Sequence, residues 1–416
     1  MQLAQWLERI EAIHPKSIDM GLERIRGVAS SLQLQRPARQ VITVGGTNGK
    51  GSTVAFLESI AREAGWRVGA YTSPHILEFN ERIRVNGEAV SDAAIVNAFE
   101  RIDAARGDTQ LTYFEFATLA GLLVFAESDL DLAILEVGLG GRLDATNIID
   151  PDVAVITTVD LDHQDYLGDD RELIGAEKAG IMRAWKPVVL GDRDPPSSVL
   201  GRAYLIGASA IRFNCDYFVD ESESPGNFVW REPGTILEIP KPLLAAPIQV
   251  RNAATAIAAM RALPQSPPDD ALAEGIRNAV IPARLQHLRV KDRDIYLDVA
   301  HNPQAATSLR DWLLETECEG KTVAVFAGLA DKDREGVIEV LKDHVDLWFV
   351  AALDGPRADS LETVRKSLEE LLPNGTHWMM TVAEALDAAT ASSIAQDRIL
   401  VFGSFHTVAK AMRHLG

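Results

Sequence analysis

The chain has only two cysteines in 416 residues, Cys215 and Cys318, far apart and outside any C-x-x-C spacing. That excludes a disulfide framework and gives no sign of a zinc site. No run reaches the roughly 18–20 consecutive apolar residues that a membrane span needs, and the first residues lack an apolar signal core. Basic residues are scarce beside acidic ones, 41 against 60, for a formal net charge of −19. A nucleic-acid-binding domain carries a basic stripe, so that class is set aside. A local basic site for a small anion is still compatible with an acidic whole. Internal repeats and long low-complexity tracts are also missing. The expectation is a soluble, cytoplasmic protein of two or three domains with no nucleic-acid or membrane partner, and a monomer for want of an association motif.

What is there is organised around Val41 to Thr53. Val41-Ile42-Thr43-Val44 is a β-branched run of the kind that fills a buried strand. Val54, Leu57, Ala61 and Ala64 then recur at helical spacing, with Gly65 as a stop. Between them lie Gly45, Gly46, Thr47, Asn48, Gly49, Lys50, Gly51 and Ser52. Glycines let backbone N–H groups close on an anion, and a helix N-terminus adds partial positive charge. Lys50 is placed to reach outer phosphates, and Ser52 or Thr53 to support a magnesium ion. The match to G-x-x-x-x-G-K-[S/T] is a variant, because Gly51 separates Lys50 from Ser52.

Along the chain, two amphipathic helices precede this strand, on Leu3, Leu7, Ile10, Ile13 and on Leu22, Ile25, Val28, Ala29, Leu32; Lys16–Leu22 between them reads as a capped helix start. Val68–Thr72 is a second strand, ending in Ser73-Pro74-His75, and Asn86-Gly87 marks a hairpin. Ser91 caps a helix, and Thr112, Phe114 and Glu115 open another. Leu130–Val137 is a strand ending at Glu136, the usual position of a carboxylate that partners magnesium beside a phosphate loop. Val153–Val159 runs into Asp160-Leu161-Asp162-His163, where His163 reads equally as a metal ligand or a hydrogen-bonded loop residue. Lys178 sits in a helical segment, where a lysine is normally solvated unless it has captured CO₂ as a carbamate. Residues 187–240 read as a small β subregion of short strands. Gln249–Ala262 is a helix with Arg251-Asn252 at its start, and Ile281–Gln286 a linker. From Ile295 an α/β alternation restarts, with Asp298-Val299-Ala300-His301-Asn302-Pro303 and Gly403-Ser404-Phe405-His406 at strand ends.

Taken together, Gly46–Ser52, Thr72–His75, Leu135–Asn147, Asp162-His163, Glu177–Ile181, Asp298–Pro303 and Gly403-Ser404 resemble the folylpolyglutamate synthetase family, related to the muramyl ligases, over nearly the whole chain. The Lys50-Gly51-Ser52 spelling is regular for the folate branch; muramyl ligases usually place a hydroxyl directly after the lysine. The resemblance implies an α/β fold: an N-terminal P-loop ATPase-like domain, 1–283, with a parallel sheet and a small antiparallel β subregion, and a C-terminal Rossmann-like α/β domain, 284–416. It implies ATP at Gly46, Thr47, Asn48, Gly49, Lys50, Gly51, Ser52, Asn252, Arg284 and Asp298. Two magnesium ions are implied at Ser73, Glu136, His163 and Lys178, with Lys178 as a carbamate, together with a monovalent cation. Lys50, Lys178, Arg284 and His301 are the implied catalytic set, and His301, Ser404 and His406 the glutamate set.

Ile18, Met20, Arg82, Thr112, Phe114 and Asp144 resemble the pterin/folate site of the bacterial bifunctional form. Two activities are therefore expected in one ATP-dependent ligase. One adds L-glutamate to 7,8-dihydropteroate and the other adds further glutamates to reduced folates, both through an acyl phosphate. A nucleotide-sugar ligase would normally carry a further N-terminal domain, and a simple phosphotransferase leaves Asp298–Pro303 unexplained.

Overall fold

The computed structural model describes residues 1–16 and 18–416. Ser17, inside the Lys16–Leu22 segment, lies outside the described residues. The chain divides into two compact units, Met1–Leu243 with Val250–Val280, and Leu244–Gln249 with Ile281–Gly416.

In the first unit, α1 (Leu3–Ile13) and α2 (Glu23–Ser31) come before the sheet. Leu3, Trp6 and Ile10 on one, and Ile25 and Val28 on the other, are buried in one cluster with Phe99 and Phe116, as their helical spacing requires. The start of α2 differs from expectation. Leu22 occupies the cap position with no side-chain hydrogen bond, because a leucine has no acceptor to offer the first N–H groups.

The sheet is then built from β1 (Gln40–Gly45), β2 (Val68–Tyr71), β3 (Ile83–Val85), β4 (Glu88–Ala89), β5 (Leu132–Glu136), β6 (Val153–Ile156), β7 (Pro187–Leu190) and β8 (Ser209–Arg212), in the order β4-β3-β2-β5-β1-β6-β7-β8. β2, β5, β1, β6, β7 and β8 are parallel, while β3 and β4 are antiparallel at the edge. Between them run α3 (Lys50–Glu63), α4 (Asp92–Arg106), α5 (Tyr113–Ala126), α6 (Gln164–Leu167), α7 (Arg171–Lys178) and α8 (Ser197–Ile206). Asn86 and Gly87 both have positive φ, 55° and 85°, the turn a two-residue hairpin demands. β1 is fully buried and flanked by β5 and β6, so its carboxyl end lies at the topological switch point where open α/β sheets bind ligands.

Residues 187–240 are not one small β subregion. β7 and β8 belong to the large sheet with α8 between them. Only β9 (Phe218–Glu221), β10 (Asn227–Glu232) and β11 (Thr235–Pro240) form the separate three-stranded antiparallel sheet. Short apolar runs do not reveal which sheet they join. Trp230 anchors the small sheet, its indole N–H donating to Ala254 O in α9 (Ile248–Arg261) at 3.1 Å. Next comes α10 (Asp269–Asn278), packed against α3, where Gly275 allows close approach to Ile60.

The second unit carries a six-stranded sheet of β12 (Gln286–Val290), β13 (Arg293–Leu297), β14 (Thr322–Phe326), β15 (Leu347–Ala351), β16 (His377–Met379) and β17 (Arg398–Phe402), ordered β12-β13-β17-β14-β15-β16 and parallel except for β12. Ile281–Gln286 thus leads directly into an edge strand. α11 (Pro303–Glu315), α12 (Arg334–Leu341), α13 (Leu361–Leu368), α14 (Val382–Ser392) and α15 (Phe405–Leu415) complete this unit. The core of the second unit holds Leu309, Trp312, Phe326, Trp348 and Phe402. The fold class is therefore mixed α/β in both units.

Candidate active site

The phosphate loop follows β1 and is latched to the segment after β6. Thr47 N donates to Thr158 O at 2.7 Å, Thr47 Oγ1 to Asp160 O at 3.0 Å, and Thr157 Oγ1 to Asn48 O at 2.6 Å. Gly46 has φ 146°, and a Cβ there would collide with Thr157 Oγ1. Gly49 caps α3 with φ 86°, and a Cβ there would stand 2.7 Å from Asn252 Oδ1. Both glycines are obligatory for space and for backbone. The structure therefore brings Asn252, on α9, against the loop. Lys50 Nζ bends back to Gly46 O and Thr47 O, at 3.0 and 3.1 Å. Gly51 and Ser52 lie in the first turn of α3, Ser52 buried; Thr53 Oγ1 is buried without a hydrogen bond.

Register sets Glu136 beside the loop, because Val44 pairs with Glu136 across β1 and β5. Glu136 is 5% exposed and accepts a hydrogen bond from Ser73 N at 3.1 Å. Lys178, at the end of α7, is buried, and its amine is pushed down to about 7, first by desolvation and then by the Lys50 cation, with Asp162 and Asp144 opposing. His163 caps α6 in a left-handed backbone, its N–H donating to Asp162 Oδ1 at 2.8 Å. Burial and the neighbouring Lys50 cation both favour the neutral form of the Lys178 amine.

A divalent cation fits these residues. A hydroxyl, a carboxylate, an imidazole and a lysine near neutrality that could carry a carbamate are donors hard enough for magnesium or manganese. Among the described residues no three His, Cys, Asp or Glu side chains gather into a metal cluster. Of the four side chains Ser73, Glu136, His163 and Lys178, only Glu136 and His163 are of those types.

Of the residues expected at a pterin, Phe114, Met20 and Asp144 lie in or against the loop after β5. Phe114 packs its ring on Gly138, and Met20 lies against Gly140. Asp144 is buried with both oxygens taken, one by Gly138 N and Leu139 N, the other by Thr146 N and Oγ1. Burial pushes its carboxyl up, against the pull of those donors. Thr112 forms a capping box with Glu115 at the start of α5. Ile18 is exposed and lines an open depression of about 610 Å³ with Met20, Asp165 and Tyr166. Arg82 is 8% exposed, donates from Nε to His75 Nδ1 at 2.8 Å, and lies over the Phe79 and Tyr113 rings.

In the second unit, Asp298 ends β13 and accepts from Leu285 N and Ala300 N, both at 2.8 Å. Burial pushes its carboxyl up, with Arg284 as the main opposing charge. Ala283 and Leu285 on either side of Arg284 have φ 57° and 50°, costly for residues with a Cβ and typical of functional loops. Arg284 lies over the Phe405 ring, 5.5 Å from its centre. His301 Nδ1 donates to Val299 O at 2.9 Å, which makes Nε2 the basic nitrogen of the neutral ring. β13 and β17 are neighbours, so Ser404 and His406 share this end of the sheet with Asp298 and His301. Ser404 Oγ is occupied as the cap of α15, accepting from Thr407 N at 3.0 Å. His406, at the exposed start of α15, is pushed below the ordinary histidine range by partial burial and by the Arg357 and Lys410 cations, with Asp354 opposing.

Sequence reasoning missed Thr157, Thr158 and Asp160 as the latch, His75 as the partner of Arg82, and Arg357 and Lys410 beside His406. Adjacent hydroxyls at a strand's carboxyl end were the available signal for the first.

Comparison with known proteins gives a consistent answer. Residues 44–260 match the Mur ligase middle domain, and 283–405 the Mur ligase glutamate ligase domain. The chain is 46% identical over 410 residues to the dihydrofolate synthase/folylpolyglutamate synthase of Escherichia coli (strain K12), covering 99% of this chain and 94% of the relative. It is 31% identical to the one of the same name from Bacillus subtilis (strain 168), covering 95% of each. Solved Escherichia coli FolC in complex with DHPP and ADP superposes with a TM-score of 0.93 at 44% identity, over 99% of this chain and 97% of that one. A bifunctional folylpolyglutamate synthase/dihydrofolate synthase with Mn, AMPPNP and L-glutamate bound gives 0.91 at 42%, over 99% and 98%. The chain belongs to the Mur ligase family, in its dihydrofolate synthase/folylpolyglutamate synthase branch.

Proposed function

We propose that this protein is an ATP-dependent ligase that joins L-glutamate to 7,8-dihydropteroate and adds further glutamates to reduced folates. The observation that carries the reading is the phosphate loop at the end of β1 with Glu136 at the paired end of β5 and Lys178 buried near Lys50, in a chain whose relatives bear the names of both activities.

A carboxylate is a poor electrophile. Its oxygen attacks the γ-phosphorus of ATP, ADP leaves, and an acyl phosphate results. The glutamate amine then attacks the acyl carbon, phosphate leaves, and the amine nitrogen loses a proton. Lys50 and Arg284 neutralise charge on the phosphates. Gly46–Ser52, Asn252, Arg284 and Asp298 hold the nucleotide, Asp298 at the ribose. Ser73 with Glu136, and Glu136 with His163 and carbamylated Lys178, would hold two divalent cations, which supply further charge neutralisation when bound. His301 Nε2 takes the amine proton, its ring oriented by the Val299 carbonyl. His301, Ser404 and His406 receive glutamate, and Ile18, Met20, Arg82, Thr112, Phe114 and Asp144 the pterin or folate. An ATP-binding domain over 1–283 and a glutamate-ligase domain over 284–416, a monovalent cation, and a cytoplasmic monomer belong to the same proposal.

The test is ADP release from the purified protein with MgATP and glutamate, with dihydropteroate or a reduced folate added in separate reactions. Turnover with both is expected. Turnover with the folate alone would confine the activity to polyglutamylation, and turnover with neither would overturn the proposal.

A further inference from the structure

Lys178 and the loop after β5 are joined by more than packing. The loop runs into a single 3-10 turn, Ala145–Ile148, and Lys178 is followed by another, Ala179–Ile181. Across this seam Arg142 N donates to Glu177 O at 2.8 Å. The two backbones approach so closely that a Cβ on Gly180 would collide with Arg142, and one on Gly141 would stand 2.8 Å from Glu177 O and 3.0 Å from Lys178 O.

Two side chains are spent on the seam. Asn147 is buried, and its amide nitrogen donates to Arg142 O at 3.0 Å and to Gly180 O at 3.2 Å, one carbonyl on each side. Its amide oxygen accepts from Arg183 Nη2 at 3.0 Å, so both hydrogens and the oxygen are used. Arg183 extends the join. Nη2 also reaches Asn147 O at 3.2 Å, Nη1 donates to Ile181 O and Met182 O at 3.1 and 3.2 Å, and Nε pairs with Asp150. One guanidinium thus gathers the carbonyls of both turns, and a carboxylate balances its charge. The neighbouring parts of the site are held by other bonds. The phosphate loop is latched to Thr157, Thr158 and Asp160, and Asp144 is tied within its own loop by Gly138, Leu139 and Thr146. What depends on the seam is the turn that follows Lys178. That lysine closes α7 with its side chain buried near Lys50, so its aim is set by how its backbone is pinned.

We infer that Asn147 and Arg183 are positioning residues for ligation, clamping the turn after Lys178 onto the loop after β5 and so holding the Lys178 side chain in its buried place beside the phosphate loop. The inference rests on the proposed ligase activity. The experiment compares Asn147→Ala, Arg183→Met and Arg183→Lys with the wild type in two ways, with melting temperature as a fold control. One is steady-state turnover with MgATP, glutamate and dihydropteroate. The other is acetylation of the metal-free, nucleotide-free protein by acetic anhydride in CO₂-free buffer, with Lys178 and Lys50 read separately by mass spectrometry. For Asn147→Ala and Arg183→Met, kcat should fall about 10- to 100-fold, with KM for ATP and for dihydropteroate held within about threefold. Lys178 should be acetylated at least about tenfold faster than in the wild type, and Lys50 no faster. Arg183→Lys keeps a cation at the carbonyls and should recover part of both effects. Unchanged acetylation of Lys178, a loss carried by KM for ATP, or an acceleration shared equally by Lys50 would overturn the inference. A wild type without turnover would instead refute the ligase reading, and the acetylation pattern would still decide the clamp.

Discussion

At the scale of single residues, Lys178 carries the clearest conflict between stability and chemistry. Its folded amine loses its proton near 7 and an unfolded lysine near 10.5. Below about pH 7 both states are protonated and the full cost of burying the charge is present. Between 7 and 10.5 the unfolded state binds more protons, so stability rises with pH across that window. Lys178→Met is therefore expected to melt several degrees higher than the wild type at about pH 6 in metal-free, CO₂-free buffer, with the gap narrowing by about pH 9, while ligation falls by orders of magnitude. Calorimetry at the two pH values and an ADP-release assay check this; a gap that widens with pH would contradict the sign. Gly46 makes a second case. Its φ of 146° and the Thr157 hydroxyl in the place a Cβ would take mean that Gly46→Ala should weaken ADP binding at least tenfold by displacing the loop from its latch. Titration with a fluorescent nucleotide measures it, and wild-type affinity would refute the latch.

At the scale of elements, the Ser73 turn is tied to the phosphate-loop helix by one ion pair. Glu58 on α3 is buried, and Arg84 on β3 meets it through Nε and Nη2 at 3.0 and 2.8 Å. Arg84 Nη1 reaches on to Thr72 Oγ1 and Glu81 O, both at 3.0 Å. Removing one member of such a pair strands a buried charge, at about 3–5 kcal/mol. Arg84→Ala is expected to lose about that much in urea unfolding, and the double variant Arg84→Ala/Glu58→Leu to regain most of it. A double variant no more stable than the single one would mean that packing, not the stranded carboxylate, governs the site. The elements were legible where the signal is local. Ser91 and Thr112 do cap α4 and α5 through their side chains, Asn86-Gly87 does turn a hairpin, and a β-branched run does form β1. α8 and β12 were not legible, because short mixed segments read alike as coil, strand or helix until a neighbour buries one face.

At the scale of the molecule, the divalent cation is expected to arrive with the nucleotide, since no cluster of three acidic, histidine or cysteine side chains lies among the described residues. Chelation should therefore abolish ADP release and leave the nucleotide-free melting temperature unchanged within about a degree, with activity restored by magnesium or manganese. A large drop in melting temperature on chelation alone would indicate a structural metal. The chain's acidity says nothing against anionic substrates, because Lys50, Lys178, Arg82 and Arg284 are placed individually rather than as a patch.

The phosphate loop, the order of most strands and helices, the α/β class and the family were all written in the linear chain, because glycine spacing, apolar period and caps act over a few neighbouring residues. Folding in three dimensions was needed to show that β7 and β8 extend the large sheet and that Asn252 closes on Gly49, about 200 residues away in the chain. The same holds for the burial of Lys178 near the Lys50 cation and, among the described residues, for the lack of a carboxylate paired with Arg82. These outcomes follow from close packing and from the cost of burying charge, which depend on what lies nearby in space and leave no mark on the local sequence.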